Sequence, residues 1–310
     1  MEELLSSLEK HKTTFLLALT GDLHDKGDEH EVAINKIGSQ IDDLRVRDER
    51  RAIAEWLQNG GADPSTNHNA ARKKHAQGTG DWLLNLDTFQ NWKDSDSGFL
   101  WLNGISGAGK TVLSSSVIEQ LKQKQGKDKP EPKLAYFYFD FSDEGKQTAQ
   151  GCFLSLVRQL FDQSNYISEE LLSLYNENRQ GEPSLERLVD VFISMLSDGP
   201  STSIVIDALD ECKALEGDEQ RDTLYEVMRD IKSKTTGAYR IFIASRPELD
   251  IQRELIELGV TEVNVEQALV DEDIRSHIHS LLPKEARFKK WPENVKKEME
   301  DTLVRKSNGM

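Results

Sequence analysis

The sequence predicts an α/β fold in which a parallel β-sheet is flanked by helices on both faces. Three observations lead to this prediction. Short apolar segments typical of buried strands alternate with longer segments of helical periodicity. A glycine-rich loop separates the first of these strands from the helix after it. A later strand contains three consecutive β-branched residues and is followed directly by an acidic side chain. Strands joined through helices pair in parallel, so their carboxyl ends share one edge of the sheet.

Composition and charge limit the classes of protein to which the chain can belong. Its 310 residues are enough for one large domain or two smaller ones. The net charge of −16 disfavours binding to nucleic acid or to an anionic membrane surface. Two cysteines, Cys152 and Cys212, are too few for a disulfide framework. The acidic N-terminus is unlike a signal peptide, and the apolar runs are too short for a membrane span. These features predict a cytoplasmic protein.

The N-terminal part of the chain is predicted to be a helical arm, residues 1–58, followed by a connector, residues 59–81. Isoleucine and leucine residues between positions 34 and 44 follow a 3-4-3 spacing, which forms a short heptad seam. Fewer than three heptads do not establish a coiled coil. A helical hairpin and an arm that binds a protein partner therefore both remain open. The connector begins with a run of turn-forming residues, which marks a boundary.

The remaining chain is predicted to form an α/β domain, residues 82–270, and the start of a helical C-terminal tail, residues 271–310. A continuous helical stripe from Trp82 to Trp92 leads into the first strand. The predicted strands comprise residues 99–102, 134–141, 203–206, 239–244 and 261–265. Besides the helix after the glycine-rich loop, the predicted helices comprise residues 152–161, 169–177, 185–196, 223–231, 271–282 and 295–304.

The glycine-rich loop, residues 104–111, fits the pattern G-x-x-x-x-G-K-[ST] that binds phosphate groups. Its glycines allow backbone N–H groups to surround a phosphate. Lys110 can place an ammonium near the β- and γ-phosphates, and the hydroxyl of Thr111 can bind Mg²⁺. The pattern requires a strand before it and a helix after it, and both are predicted here. The predicted nucleotide-binding residues of this segment are Gly104, Gly107, Ala108, Gly109, Lys110, Thr111 and Val112.

Charged side chains follow two later strands of the predicted sheet. Asp207 comes directly after the third strand, where its carboxylate can hold Mg²⁺. Glu211 or Asp210 is predicted to orient or deprotonate the attacking water, and the sequence leaves both candidates open. Arg246 follows the fourth strand and is predicted to meet a γ-phosphate. Together with the loop, these side chains predict a magnesium-dependent triphosphate site.

With these residues assembled, the chain resembles the NACHT class of STAND-type P-loop NTPases. It is most similar to the fungal NACHT proteins whose domain is also described as nephrocystin-like. Four segments carry the resemblance: FLWLNGISGAGKT, YFYFDFSDEGKQT, IVIDALDEC and IFIASRPE. The connector segment DPSTNHNAARKKHAQGTGDWLL also looks like the part that precedes the loop in that family. The resemblance runs from about residue 50 to the C-terminus.

The resemblance implies a sheet with strand order 5-1-4-3-2 and a switch that binds ATP or GTP with Mg²⁺ and hydrolyses it slowly. The family's setting is fungal incompatibility or innate-immunity-like signalling. The family's sensor arginine matches Arg246, and its connector helps to enclose the base, which suggests roles for Thr79 and Gly80. Family members usually continue into a winged helix and a repeat array. The chain is therefore expected to be a fragment, a short gene product or a protein that acts through a partner.

Two other functions remain open at this stage. A P-loop kinase would need an arginine-rich lid and an acceptor pocket, and the sequence contains no such lid. A scaffold that binds nucleotide without hydrolysing it would share the loop but not the turnover. Whether the chain is an enzyme at all, which base it binds and whether it forms a homo-oligomer are not determined by the sequence.

Overall fold

The computed structural model describes residues 9–16, 27–123, 131–213, 220–265, 267–282, 288 and 291–307. Parts of the predicted N-terminal arm and of the predicted C-terminal tail therefore lie outside the described residues. The chain divides into two compact units, Met1–Ile53 and Ala54–Met310. Among the described residues, no helix combines the length and the apolar character that crossing a bilayer requires.

The N-terminal unit is helical wherever the structure describes it. Helix α1 covers the described residues 9–16, and helix α2, Gly27–Gly60, continues into the second unit. Ile34, Ile37 and Ile41 of the predicted seam line an apolar cavity of about 520 Å³ together with Phe15. The heptad spacing thus gathers apolar side chains on one helix face.

A five-stranded, all-parallel sheet lies at the centre of the second unit. Its strands are β1, Ser97–Asn103; β2, Lys133–Tyr138; β3, Thr202–Asp207; β4, Tyr239–Ser245; and β5, Thr261–Asn264. The strand order β2-β3-β4-β1-β5 is the predicted order 5-1-4-3-2 read from the other edge. The predicted fold class is therefore confirmed. Asn103 pairs with Ser245 and Tyr138 with Asp207, so β1 to β4 all end at one edge.

Helices surround this sheet, and most of them pack against it. They are α3, Ser65–Lys74; α4, Asp81–Asn85; α5, Asp87–Asp94; α6, Lys110–Lys122; α7, Ala149–Asp162; α8, Glu169–Glu177; α9, Leu185–Ser197; α10, Gln220–Lys234; α11, Leu249–Glu257; α12, Gln267–Leu281; and α13, Glu293–Ser307. Helix α8 packs on α9 instead, and α13 packs on α12. Hydroxyl caps define several starts: Thr148, Ser168 and Ser184 accept from backbone N–H groups of α7, α8 and α9. Every residue of β3 and β4 is buried, which explains the apolar runs at residues 204–206 and 241–244 within them.

Three local predictions differ from the structure. The predicted stripe at residues 82–92 forms two short helices, because Leu86 is extended between α4 and α5. Leu86 still packs on the core, so its burial follows the pattern although the helix does not. Strand β2 ends at Tyr138 rather than at residue 141, because its partner β3 ends at Asp207. The connector contains helix α3, which its polar composition did not indicate.

Candidate functional site

A cavity of about 550 Å³ opens at the carboxyl edge of the sheet. The glycine-rich loop, the turns after β3 and β4, and one face of α3 form its walls. The sequence-predicted residues that line it are Gly107, Gly109, Lys110, Thr111, Val112, Asp207, Asp210, Glu211 and Arg246. Strands β1, β3 and β4 are neighbours in the sheet, so residues from three distant chain segments meet at this cavity.

The backbone of the loop explains its glycines. Gly107 and Gly109 have φ angles of 80° and 81°, in the left-handed region where an L side chain is strained. Gly104 is required for space instead, because an added Cβ would lie 3.0 Å from the Cβ of Val265. Helix α6 begins at Lys110, so the N–H groups of its first turn lack helical partners. These groups and the helix dipole favour an anion at this position.

Lys110 lies over the loop itself. Its Nζ donates to the carbonyl oxygens of Gly104 at 2.7 Å and Ile105 at 2.8 Å. Burial lowers the pKa of Lys110, while the carboxylates of Asp210 and Asp207 act in the opposite direction. A bound polyphosphate would favour the ammonium form of Lys110, because its negative charge stabilises a cation that burial has separated from water.

Asp207 and Thr111 form the predicted metal side of the cavity. Asp207 is 2% exposed, and its Oδ1 accepts a hydrogen bond from Ser114 Oγ at 2.6 Å. The side chain of Thr111 also hydrogen-bonds to this carboxylate. Burial raises the pKa of Asp207 to about 6, although both hydrogen bonds oppose the shift. The adjacent hydroxyl and carboxylate oxygens fit Mg²⁺, which typically takes one or two protein ligands and completes its shell with phosphates and water.

Asp210 is buried, and both of its carboxylate oxygens accept hydrogen bonds from Arg246. Its Oδ2 accepts from Arg246 Nε at 2.6 Å, and its Oδ1 accepts from the backbone N–H of Arg246 at 2.8 Å. This hydrogen bonding raises the pKa of the Arg246 guanidinium. Both oxygens of Asp210 thus position the arginine, which leaves Glu211 as the better placed of the two acids to act on a water.

Glu211 reaches the cavity through a tight turn. Ala208 has a φ of 55°, the one left-handed conformation among the described non-glycine residues. A short 3₁₀ helix, Leu209–Glu211, follows, and Glu211 Oε2 accepts from the backbone N–H of Phe141 at 3.1 Å. Burial raises the pKa of Glu211. A strained residue between a strand end and two acids is typical of functional sites, because surrounding contacts must hold it there.

A second cavity, of about 270 Å³, adjoins the first. Ala108, Thr79 and Gly80 line it, together with the connector residue Ala76. Four residues line both cavities: Lys74, Gly107, Gly109 and Val112. Gly80 has a φ of 76°, and an added Cβ would lie 2.7 Å from Leu113 Cδ2. The connector therefore packs against α6 and lines this cavity together with the loop.

Sequence reasoning missed one wall of the larger cavity, which α3 provides. Asn67, Ala71 and Lys74 of this helix line the cavity. Asn67 is held in place by a bond from its Nδ2 to Asp140 Oδ2 at 3.0 Å and one from Lys146 Nζ to its Oδ1 at 2.7 Å. Their spacing of four and then three residues places them on one helix face, a signal that could have revealed the wall.

The chain is similar to known proteins over the segments that form this site. A family model described as nephrocystin 3, N-terminal, matches residues 78–246, more than half of the chain. This range contains every sequence-predicted site residue. The vegetative incompatibility protein HET-E-1 of Podospora anserina is 27% identical over 210 residues, which are 65% of this chain and 14% of that protein. The chain thus spans about a seventh of the length of this relative.

Proposed function

Because this chain belongs to the family described as nephrocystin 3, N-terminal, we propose that it is a nucleotide-operated signalling switch of the NACHT class. It binds ATP or GTP with Mg²⁺ at the two adjoining cavities and hydrolyses the triphosphate slowly. One observation carries this proposal: Lys110, Thr111 and Asp207 meet at one cavity beside glycines in left-handed conformations. That combination suits a polyphosphate and its metal.

Each side chain has a defined task in this proposal. The N–H groups of the loop and Lys110 bind the phosphates, and Thr111 and Asp207 hold Mg²⁺. The metal supplies positive charge that offsets the charge of the phosphates. Glu211 orients the attacking water, and Arg246, held by Asp210, stabilises charge on the γ-phosphate. The raised pKa of Glu211 makes its carboxylate a stronger proton acceptor than an ordinary glutamate.

The switch acts through the elements around the cavities. Helix α3 and the connector form part of the walls, as do Asp273 and Ile274 of α12. Occupancy by a triphosphate changes how these elements pack, provided that the two packing states differ in their affinity for it. A cytoplasmic protein partner, or a second copy of the chain, binds the N-terminal unit, where Phe15 is 54% exposed beside an apolar cavity. The similarity to a vegetative incompatibility protein supports a role in fungal incompatibility or innate-immunity-like signalling.

Calorimetric titration tests the core of this proposal. Wild-type protein is expected to bind Mg-ATP or Mg-GTP, and Lys110→Ala is expected to lose most of that affinity. Lys234→Ala is a suitable control, because this exposed lysine pairs with Asp230 on α10 and lines neither cavity. Equal affinity in wild type and Lys110→Ala would contradict the proposal.

A scaffold that binds nucleotide without turnover is the second candidate. The observation that favours it is the engagement of both acids after β3. Asp210 pairs with Arg246, and Glu211 accepts from the backbone N–H of Phe141. Release of inorganic phosphate over hours separates the two functions: slow release that requires Mg²⁺ supports the switch, and tight binding without release supports the scaffold.

A further inference from the structure

An acidic side chain, Asp273 of α12, lies in the wall of the smaller cavity. Its Oδ2 accepts from the backbone N–H of Gly80 at 2.9 Å and from Trp82 Nε1 at 3.3 Å. Both donors belong to the segment that leads from the connector into α4, so the carboxylate is held at a defined position. An ionised carboxylate offers about four acceptor sites in total. Asp273 therefore retains capacity for further donors from a ligand.

The rest of the smaller cavity suits a flat heteroaromatic ring. Val112, Leu113 and Ile274 contribute apolar side chains, and Trp82 contributes an indole. A pocket with an apolar wall and few polar groups typically fixes the orientation of a ring through those groups. Since the two cavities share residues of the glycine-rich loop, a nucleotide can place its phosphates in the larger cavity and its base in the smaller one.

The polar groups that the connector contributes to this wall bond locally. Thr79 Oγ1 donates to the carbonyl oxygen of Ala76 at 2.8 Å, and the carbonyl oxygen of Thr79 contacts His75 Nε2 at 3.2 Å. The backbone N–H of Gly80 is taken up by Asp273 itself. The carboxylate is consequently the strongest acceptor on this wall, because an ionised group makes shorter and stronger hydrogen bonds than a neutral one.

The geometry points to Asp273 as the residue that selects the base, and to guanine as the base that it selects. This inference rests on the proposed function, since it assumes a nucleotide in the adjoining cavities. Guanine presents two neighbouring donors, N1–H and the 2-amino group, which one carboxylate can accept together. Adenine presents a donor at its 6-amino group beside an acceptor at N1, and a carboxylate repels that acceptor. Selection thus comes from an attractive and a repulsive contact at one side chain.

The electrostatics of Asp273 agree with this assignment. Burial raises the pKa of Asp273, although the bonds from Gly80 and Trp82 oppose the shift. Two further donors from a base would compensate for the water that the carboxylate has lost. A base that offers two donors would therefore stabilise the ionised carboxylate that burial disfavours.

Competition against a fluorescent GTP analogue tests the inference in the full chain. Wild-type protein is expected to prefer GTP to ATP by on the order of tenfold or more, and to bind inosine triphosphate, which lacks the 2-amino group, more weakly than GTP. Asp273→Asn is expected to lose GTP affinity by on the order of tenfold to a hundredfold. The same variant should gain relative affinity for xanthosine triphosphate, in which a carbonyl replaces the 2-amino group and can accept from the new amide.

Glu272→Gln is the matched control, because Glu272 is an exposed acid next to Asp273 on α12. It is expected to retain the wild-type preference. Equal wild-type affinities for GTP, ATP and inosine triphosphate would overturn the assignment of Asp273 and leave the proposed function standing. Failure of the wild-type protein to bind any of these nucleotides would overturn both. The wild-type comparison decides the question even where Asp273→Asn does not fold.

Discussion

Arg246 and Asp210 form a two-point contact that joins the ends of two adjacent strands. Arg246 Nε donates to Asp210 Oδ2 at 2.6 Å, and the backbone N–H of Arg246 donates to Asp210 Oδ1 at 2.8 Å. Asp210 follows β3 and Arg246 follows β4, so the contact fixes the two turns relative to each other. Arg246 is thereby oriented before a ligand arrives, which reduces the cost of ordering it on binding.

Glu211 and Asp210 are expected to have separable effects on turnover. Glu211→Gln should lower the rate of phosphate release by about 100-fold, because an amide cannot accept the proton of the attacking water. Its nucleotide affinity should stay near that of the wild type. Asp210→Asn should weaken the hydrogen bonds that orient Arg246, and it should lower the rate of phosphate release less than Glu211→Gln does. Single-turnover assays with matched affinity measurements check this, and an unchanged rate in Glu211→Gln would favour the scaffold or another water-orienting residue.

Gly109→Ala tests the left-handed backbone of the loop. An added Cβ at Gly109 meets no atom within 4 Å, so the cost is conformational rather than steric. Adopting a φ of 81° with a side chain costs about 1 kcal/mol, and relaxation of the loop would disturb the phosphate-binding N–H groups. Nucleotide affinity should fall about tenfold. Gly181→Ala is the control, since its added Cβ also meets nothing and its φ is not left-handed; comparable losses in both variants would argue against this explanation.

Asp207 is expected to make stability fall as the pH rises from about 4 to 6. Its pKa is about 6 in the folded protein and 3.8 ordinarily, so the folded state binds the proton more tightly in this window. The stabilisation is fully present below pH 3.8 and is lost as the pH rises through about 6. Asp207→Asn should remove this dependence and gain on the order of 2 kcal/mol at pH 7. Urea unfolding of both proteins between pH 4 and 8 measures the difference, and a constant difference across this range would contradict the assignment.

The same carboxyl group should make binding of the Mg²⁺ nucleotide pH-dependent. The metal requires ionised Asp207, so affinity should decrease below pH about 6. Ser114→Ala removes a hydrogen bond that lowers the pKa of Asp207 and should shift this decrease to higher pH. Calorimetric titration at a series of pH values checks the shift. The same dependence of affinity on pH in wild type and Ser114→Ala would contradict it.

Arg221 is expected to be the most sensitive buried charge near the site. Its Nη1 donates to Glu248 and Asp250 at 2.9 and 2.8 Å, and its Nη2 donates to the carbonyl oxygens of Asp210 and Cys212 at 2.7 and 3.1 Å. A lysine cannot reach four acceptors in this arrangement, so Arg221→Lys should lower the free energy of unfolding by about 2–4 kcal/mol.

Arg229→Lys provides the control for Arg221→Lys on the same helix, α10. Arg229 is 46% exposed and pairs with Glu254. Its replacement should cost less than about 1 kcal/mol, because solvent screens the exposed guanidinium and a lysine can still pair with Glu254. Denaturant unfolding measures both variants. Equal, small effects would show that the buried contacts of Arg221 contribute little to the stability of the turn after β3.

The sequence predicted the sheet well because its signals there are local. Continuous apolar runs mark β1, β3 and β4, and the loop pattern identifies the strand that precedes it. The strand order came from the resemblance to nephrocystin-like NACHT proteins, which the family model and the relative confirm. Strand ends were predicted less well, since an end such as Tyr138 depends on where the partner strand stops.

The site was predicted only in part. The loop was identified from its pattern of fixed spacing, and the acids after β3 because they follow the end of a buried strand. Helix α3 was missed because its sequence is mostly polar and lacks a clear apolar face, although Asn67 and Lys74 on it line the cavity. Asp273 was missed as well, since nothing local to α12 shows that it contacts Gly80, nearly 200 residues earlier in the chain.

By itself, the sequence determined the glycine-rich loop, the alternation of strands and helices, and the carboxylate at the end of β3. These are properties of short segments, in which backbone freedom and apolar periodicity act over a few residues. Only the tertiary structure decided that Asp210 pairs with Arg246, that Glu211 lines the cavity and that Asp273 accepts a hydrogen bond from Gly80 of the connector. Those relationships depend on the order of strands in the sheet, because neighbouring strands bring together groups that are far apart in the chain.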